Sequence, residues 1–147
     1  MDDDLNITSA NSEIILTVAN LYPNGVKLEG FSTDTAWASD DVTLAEGRMG
    51  VDGNMAIGMT PSPVQMTITL EANSPSLKYL ENIAACMNLN KTVYKCDMQV
   101  TIPSRGKEYH LSGGSLLVGH LIPDGKKTLD PTNWRFIFKD CKPSSIS

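Results

Sequence analysis

Several features that mark particular protein classes are absent from this sequence. No run approaches the roughly 18 apolar residues that a membrane-spanning helix needs, and residues 1–12 are acidic and polar, the reverse of a secretory signal peptide. The three cysteines show no Cys-x-x-Cys spacing, so neither a zinc knuckle nor a disulfide framework is indicated. These absences predict a protein that stays in the cytoplasm where it is made, without a membrane partner and with cysteines serving as small apolar side chains.

Basic residues are also few. The chain has 12 Lys and Arg against 17 Asp and Glu, for a net charge of -5. Because a surface that binds nucleic acid tightly needs an excess of positive charge to attract phosphates, such binding is not expected. A protein that lets a polyanion pass without holding it would carry the same sign of charge.

Groups that could perform catalysis or bind a metal are sparse. The two histidines, His110 and His120, lie beside no plausible nucleophile or carboxylate pair in the sequence. Residues 112–115, Ser-Gly-Gly-Ser, lack the spacing of a nucleophile elbow and indicate a bulge or turn. Acidic clusters at residues 1–4 and 39–41 lack calcium-loop spacing. We therefore predict no catalytic residue, no cofactor, no metal site and no enzymatic activity.

What the sequence does contain is the composition and punctuation of a small β protein. Its 147 residues, 41% hydrophobic and 20% charged, fit a single domain over 1–147, with terminal arms at 1–12 and 141–147. Turn sequences occur at 22–25, 51–54, 104–107 and 123–126. The runs between the turns predict strands at 14–20, 26–31, 44–51, 54–59, 64–72, 93–102, 108–111, 116–122 and 134–139.

The clearest local signal is a change of period within residues 64–87. Apolar and polar residues alternate strictly from Val64 to Ala72, which predicts a half-buried strand. The apolar residues then take helical spacing, with Ser74 placed to cap and Pro75 at the first helical position, so one α-helix is predicted at about 74–89. Its apolar stripe consists of Leu77, Leu80, Ile83, Ala84 and Met87.

Two further segments predict the core. Residues 94–102 alternate like the first strand, with every second residue apolar from Tyr94 to Ile102. Trp134, Phe136 and Phe138 alternate on the last predicted strand without basic residues on their face, which favours burial over base stacking. The fold class is therefore mainly β: an antiparallel sandwich or barrel with one flanking helix over an open side or end.

The hairpin at about 44–59 differs from the other strand pairs. One face would be apolar through Met49, Val51, Met55, Ile57 and Met59, whereas the other is polar, small and rich in glycine. Glycine weakens a strand unless another backbone packs against it. Two interpretations follow: a mobile surface hairpin, or an extended assembly hairpin completed by another copy of the chain.

Three stretches carry a resemblance to a known family: LTVANLYPNGVKLEGF at 16–31, MGVDG at 49–53 and VQMTITLEANSPS at 64–76. Together with KKTLDPTNWRFIF near the C-terminus, they resemble the tail tube proteins of contractile-tailed bacteriophages, often labelled only as phage tail or tail-fibre-like proteins. The similarity covers residues 16–138, and the tube of type VI secretion is similar in architecture.

The resemblance implies a structural virion protein. Six copies would form a ring, and stacked rings would form a hollow tube inside a contractile sheath, through which the genome is ejected without specific DNA binding. The implied partners are other copies of the chain, the sheath, and the baseplate and tail terminator proteins. The implied location is the virion tail, with assembly in the host bacterial cytoplasm.

The resemblance also suggests roles for individual residues. Asp52, Gly53 and Asn54 would contact the next ring. A tube initiator or baseplate protein of the same fold is one alternative, and a monomeric β-sandwich that binds carbohydrate or protein is another. The candidates for lining the lumen are Glu46, Arg48, Gln65, Thr67, Thr69 and Glu71.

Overall fold

The computed structural model describes residues 12–32 and 36–146, so the predicted N-terminal arm and the acidic cluster at residues 1–4 lie outside the described residues, apart from residue 12. The described chain forms one α-helix, α1, at Leu77–Asn90, and a short 3-10 turn at Pro103–Arg105. Its strands are β1 Glu13–Val18, β2 Tyr22–Leu28, β3 Trp37–Ser39, β4 Ala45–Met49, β5 Met55–Met59, β6 Val64–Leu70, β7 Cys96–Ile102, β8 Lys107–Val118, β9 Thr132–Phe138 and β10 Asp140–Ser145.

The strands form a sandwich in which every pairing is antiparallel. One layer has the order β2-β1-β7-β8, with β10 on the other side of β8, and the second layer continues as β8-β9-β6-β3. The long strand β8 belongs to both layers, and β4 and β5 form a separate two-stranded sheet. Within the described residues the sandwich is not a closed barrel. The prediction of a mainly antiparallel β fold with a single helix is confirmed.

A bulge allows β8 to pass from one layer to the other. The pairing of β8 with β7 shifts register between Cys96 and Met98, and Asp97 Oδ1 accepts a hydrogen bond from the Gly113 amide at 3.1 Å. A Cβ atom at Gly114 would overlap the carbonyl oxygen of Ile137, so only glycine fits this crossing. The bulge predicted as one option for residues 112–115 is present.

The core lies between the two layers and follows the alternation of the sequence. Trp134, Phe136 and Phe138 are at most 1% exposed, as predicted. On β6, Met66, Ile68 and Leu70 are buried, and the residues between them are partly exposed. This strand therefore has one buried and one solvent-facing side. The other buried strand residues include Ile14, Leu16, Val18, Leu28, Met66, Ile68, Leu70, Cys96, Met98, Val100, Leu111 and Leu116.

Helix α1 packs on this core through the predicted stripe, but it begins later than predicted. Leu77, Leu80 and Ile83 are buried, and Ala84 and Met87 pack beside them. The helix begins at Leu77 with Ser76 at the N-cap position, so the prediction of Pro75 as the first helical residue was wrong. The Ser74 hydroxyl does accept a hydrogen bond from the Ser76 amide at 3.1 Å, the kind of bond expected of a capping serine. Both serine hydroxyls also bind the backbone of Glu29: Ser74 Oγ donates to the Glu29 carbonyl, and the Glu29 amide donates to Ser76 Oγ at 2.7 Å.

The predicted turn at residues 22–25 was also wrong. The chain turns at residues 19–21, where the Leu21 amide donates to the Val18 carbonyl at 3.1 Å, and β2 begins at Tyr22. Pro23 is tolerated because β2 is an edge strand, where a missing amide donor breaks no second ladder. Gly25, at φ +85°, takes up the register shift as a bulge.

The expected C-terminal arm at 141–147 is corrected by strand β10. Asp140 pairs with Ser112, and the register continues to Ser145 opposite Lys107. Pro143 is compatible with this strand because β10 pairs on one side only, with β8. A polar sequence has become a strand because a long neighbour supplies its hydrogen bonds.

We expect thiol labelling to distinguish the two sides of β6. In a variant with Cys86 and Cys141 changed to Ala, Thr67→Cys should react readily with a small maleimide, whereas Ile68→Cys should react about a hundredfold more slowly because only local opening exposes it. Native Cys96 can stay, because it is 1% exposed and burial raises its thiol pKa to about 11. Mass spectrometry measures the labelling rates, and equal rates at both positions would contradict the burial of β6 on one side only.

Candidate assembly surface

The β4–β5 hairpin presents an apolar face that nothing in the described chain covers. Its register pairs Ala45 with Met59, Gly47 with Ile57 and Met49 with Met55 on one face. Every residue of both strands is exposed, and the four large apolar side chains of the pair are 58–90% exposed. Because side chains on paired strands lie next to each other, these four form one continuous patch. They are Met49, Met55, Ile57 and Met59.

The tip of the hairpin is closed by its own hydrogen bonds. The Gly50 amide donates to the Asn54 carbonyl at 2.7 Å, and the amide and side chain of Asn54 donate to the Asp52 carboxylate at 3.1 and 3.0 Å. These bonds lower the pKa of the Asp52 carboxyl below its ordinary value, because they favour the charged form. Between the paired residues 50 and 54 lies a three-residue loop ending at Gly53, rather than a two-residue turn.

The hairpin therefore combines a closed tip with an unpaired apolar face. An isolated two-stranded sheet is marginally stable in water, and each strand glycine costs roughly 0.5 to 1 kcal/mol relative to alanine. Contiguous exposed apolar surface on a soluble chain commonly marks an interaction site. Of the features in the described chain, this face is the strongest candidate for contact with another molecule.

The six residues predicted to line a lumen lie on two different sheets. Glu46 and Arg48 lie on the polar face of the hairpin, opposite Gly58 and Ala56. The other four follow β6: Gln65, Thr67 and Thr69 on its outer face, and Glu71 just beyond its end. Two of the six residues therefore lie together on the hairpin, and the other four lie in a row along β6.

Two residues that belong to the β6 surface were missed by sequence reasoning. Asn133 pairs with Thr69, whose hydroxyl lies 2.7 Å from Asn133 Oδ1, and Arg135 pairs with Thr67. The alternation of β9, with Trp134 and Phe136 facing the core, already placed both on the solvent side. The pairing of β6 with β9, which brings these residues together, could not be predicted from the sequence.

Each of the two histidines lies beside a carboxylate at the surface. His110 Nε2 lies 2.9 Å from Glu108 Oε1, and His120 Nε2 lies 3.4 Å from Asp124 Oδ1, each as a surface pair with one carboxylate. Within the ranges that the structure covers, no three His, Cys, Asp or Glu side chains could hold a metal ion together. Over the same ranges, no helix has the length and apolarity to cross a membrane.

Comparison with solved structures gives the fold a context. A chain of the PVC sheath-tube complex of an extracellular contractile injection system, in its extended state, aligns at TM-score 0.65 and 11% identity over 97% of this chain and 95% of that one. The tube-terminating cap of the anti-feeding prophage aligns at TM-score 0.62 and 11% identity, over 96% and 93%. A chain of the six-fold symmetrised anti-feeding prophage baseplate aligns at TM-score 0.57 and 10% identity, over 97% of both chains.

At these identities the similarity establishes the fold, and it agrees with the predicted tail-tube-like architecture. A comparison with curated protein sequences gives no match. The sequence profile of the family described as tail fiber protein gp32 matches residues 5–142. That match spans nearly the whole sequence and both layers of the sandwich. The chain therefore belongs to the tail fiber protein gp32 family.

Proposed function

We propose that this protein is the structural subunit of a phage tail tube, a single tail-tube-like domain that assembles into stacked hexameric rings. The observation that carries the proposal is the β4–β5 hairpin, whose apolar face is open to solvent in the single chain. A self-assembling subunit needs such a face, because burying it against the next copy provides the free energy of association.

Strand edges give a second reason for assembly. β2, β3 and β10 each pair on one side only within the described chain, so each leaves a row of backbone groups without a strand partner. Exposed edges favour pairing with other chains, and a closed ring satisfies them in a controlled way. Stacking of such rings would produce a tube, with Asp52, Gly53 and Asn54 at the hairpin tip contacting the neighbouring ring.

The polar faces suit the wall of a DNA conduit. Glu46 and Arg48 on the hairpin, and Gln65, Thr67, Thr69 and Glu71 along β6, combine both signs of charge with neutral groups. With Arg135 on the same surface, the acidic and basic side chains balance, and the subunit as a whole has a net charge of -5, so this wall has no excess of positive charge to attract phosphates. We therefore propose that DNA passes these faces during ejection without specific binding.

The structural neighbours suggest the partners. They are chains of a sheath-tube complex, a tube-terminating cap and a baseplate. By analogy of fold, we propose that this subunit contacts the tail sheath, the baseplate and the terminator, is located in the virion tail, and is assembled in the host bacterial cytoplasm. Because a baseplate chain shares the fold, a tube initiator is the second candidate. A monomeric binding module is disfavoured by the uncovered hairpin.

Electron microscopy of the purified protein, with sedimentation velocity on the same sample, tests this proposal. We expect six-fold rings or hollow tubes whose abundance rises with protein concentration. A tube subunit should extend into tubes of variable length, whereas an initiator should stop at one or two rings. A protein that remains monomeric at every concentration up to its solubility limit would contradict both candidates and favour the binding module.

A further inference from the structure

A second apolar surface of the chain lies at the C-terminal part of α1. There the helix and the end of β8 border a shallow, open groove of about 420 Å³. Its floor is apolar, and the adjoining Leu117, Leu121 and Ile122 are 49–78% exposed. The residues that line the groove include Ala84, Met87, Leu116, Leu117, Gly119 and Leu121.

An open strand edge lies beside this groove. The register between β7 and β8 ends at Cys96 opposite Gly114, and beyond that point β8 pairs only with β9 among the described strands. Residues 115–118 therefore lack a partner strand on that side, but the Ser115 hydroxyl donates there to the Tyr94 carbonyl at 2.8 Å, and Ser115 and Leu116 are buried. The edge is open at Leu117 and Val118, which are each 49% exposed. An edge next to an apolar groove is the arrangement that accepts an added strand, since backbone hydrogen bonds and side-chain burial then act together.

We infer that this groove receives the β4–β5 hairpin of a second copy. This inference rests on the proposed function and names the receiving surface for its assembly hairpin. Three of the four large apolar side chains on the hairpin face are methionines, whose flexible thioethers adapt to an irregular apolar groove. Each hairpin strand has five residues, enough to extend along the exposed end of β8 at Leu117 and Val118.

Charge complementarity supports the same occupant. The hairpin tip carries the acidic side chain of Asp52, which accepts the hydrogen bonds of Asn54. The rim of the groove carries Lys91, the C-cap residue of α1. An acidic tip and a basic rim favour one orientation of the hairpin in the groove.

The symmetry of this contact also fits an assembly of many copies rather than a dimer. The hairpin and the groove are different surfaces of one chain, so their contact is heterologous, and repeating it gives a closed ring or a continuing filament. An isologous contact between two hairpins would stop at a dimer. The groove-and-hairpin contact can therefore propagate through many copies.

Disulfide formation between separately prepared variants tests the inference. In a Cys86→Ala, Cys141→Ala background, one preparation carries Leu117→Cys in the groove, and the other carries a cysteine at one hairpin position. The two are mixed before assembly and then oxidised. Because a disulfide requires Cα atoms within about 7 Å, we expect a covalent dimer for at least one position of the apolar face. Those positions are Met55, Ile57 and Met59, and the matched controls on the opposite face are Glu46 and Ala56.

The same sample viewed by electron microscopy separates the two hypotheses. Rings or tubes without a disulfide at any apolar-face position, or with equal disulfide yields on both faces, would overturn the groove assignment and leave the tube proposal standing. A sample without assemblies and without disulfides would count against both. A dimer that forms only from the apolar face supports the groove assignment even where no tubes are visible.

A pair of substitutions gives a second readout. Leu121 lines the groove and is 61% exposed, whereas Leu129 is 57% exposed and lies outside it. Leu121→Asp should raise the concentration needed for assembly by about tenfold or more, because association would bury an unpaired charge. Leu129→Asp should leave that concentration unchanged. Equal effects of the two variants would contradict the inference.

Discussion

Leu80→Asp is expected to lower the free energy of unfolding by about 4 kcal/mol or more, since it buries an unpaired carboxylate where apolar area was packed. Leu80 is fully buried, between Leu77 and Ile83 on the face of α1 that meets the sandwich. Domains of this size are commonly stable by only about 5 to 15 kcal/mol, so the variant should be largely unfolded or melt far below the parent protein. Urea unfolding followed by circular dichroism measures the change.

The same helix offers a matched control. Leu89 is 80% exposed, and Leu89→Asp makes the identical chemical change without burying a charge. We expect it to cost less than about 1 kcal/mol, mainly because a negative charge near a helix C-terminus opposes the helix dipole. Equal losses in the two variants would show that the helix does not pack on the core through its predicted stripe.

The helix and the central strands were predictable because burial imposes a period on their residues. On β6, β7 and β9 every second residue faces the core, and the sequence alternates accordingly. On α1 the buried Leu77, Leu80 and Ile83 repeat at helical spacing. An element that is buried on one side therefore carries its own period in the sequence.

Elements at the sheet edges were not predictable in this way. β10 has a polar sequence with a proline and becomes a strand only because β8 extends far enough to pair with it. β3 is three residues long, too short to show a period. The turn predicted at 22–25 lies inside β2, because the register shift between β1 and β2 is accommodated there as a bulge. Each depends on a tertiary partner that local sequence does not specify.

The two faces of the assembly hairpin could be predicted from the sequence, but their exposure could not. The alternation of the hairpin indicated its apolar and polar faces, and the observed register pairs Met49, Met55, Ile57 and Met59 on the apolar side. Val51, which was also predicted for the apolar face, lies in the turn instead. The sequence could not show that the apolar face would be left uncovered, since that depends on where the rest of the chain lies. It also could not show that the end of β8 would lack a second strand partner, because β8 leaves β7 after the bulge at Ser112 and Gly113.

Replacing residues 45–59 with Asn-Gly is expected to abolish assembly while leaving a folded monomer. The Thr60 amide donates to the Leu44 carbonyl at 3.1 Å, so the ends of the hairpin are close enough for a two-residue turn. The hairpin forms its own sheet and contributes no residue to the buried core, so its removal should change the free energy of unfolding little. Loss of its apolar face should remove the contact that joins the subunits.

Two point substitutions in the intact hairpin show which face is responsible. Ile57→Asp places a charge on the apolar face, and Ala56→Asp places the same charge one residue away on the polar face. Both positions are exposed in the monomer, so both variants should unfold like the parent protein in urea. Only Ile57→Asp should prevent rings or tubes in electron micrographs, because only this charge would be buried between subunits.

The protein with Asn-Gly in place of residues 45–59 has two outcomes that would contradict the prediction. If it still forms tubes of normal appearance, the hairpin is only a surface feature. If it fails to fold, the hairpin supports the subunit itself, and the assembly contact must lie at the strand edges.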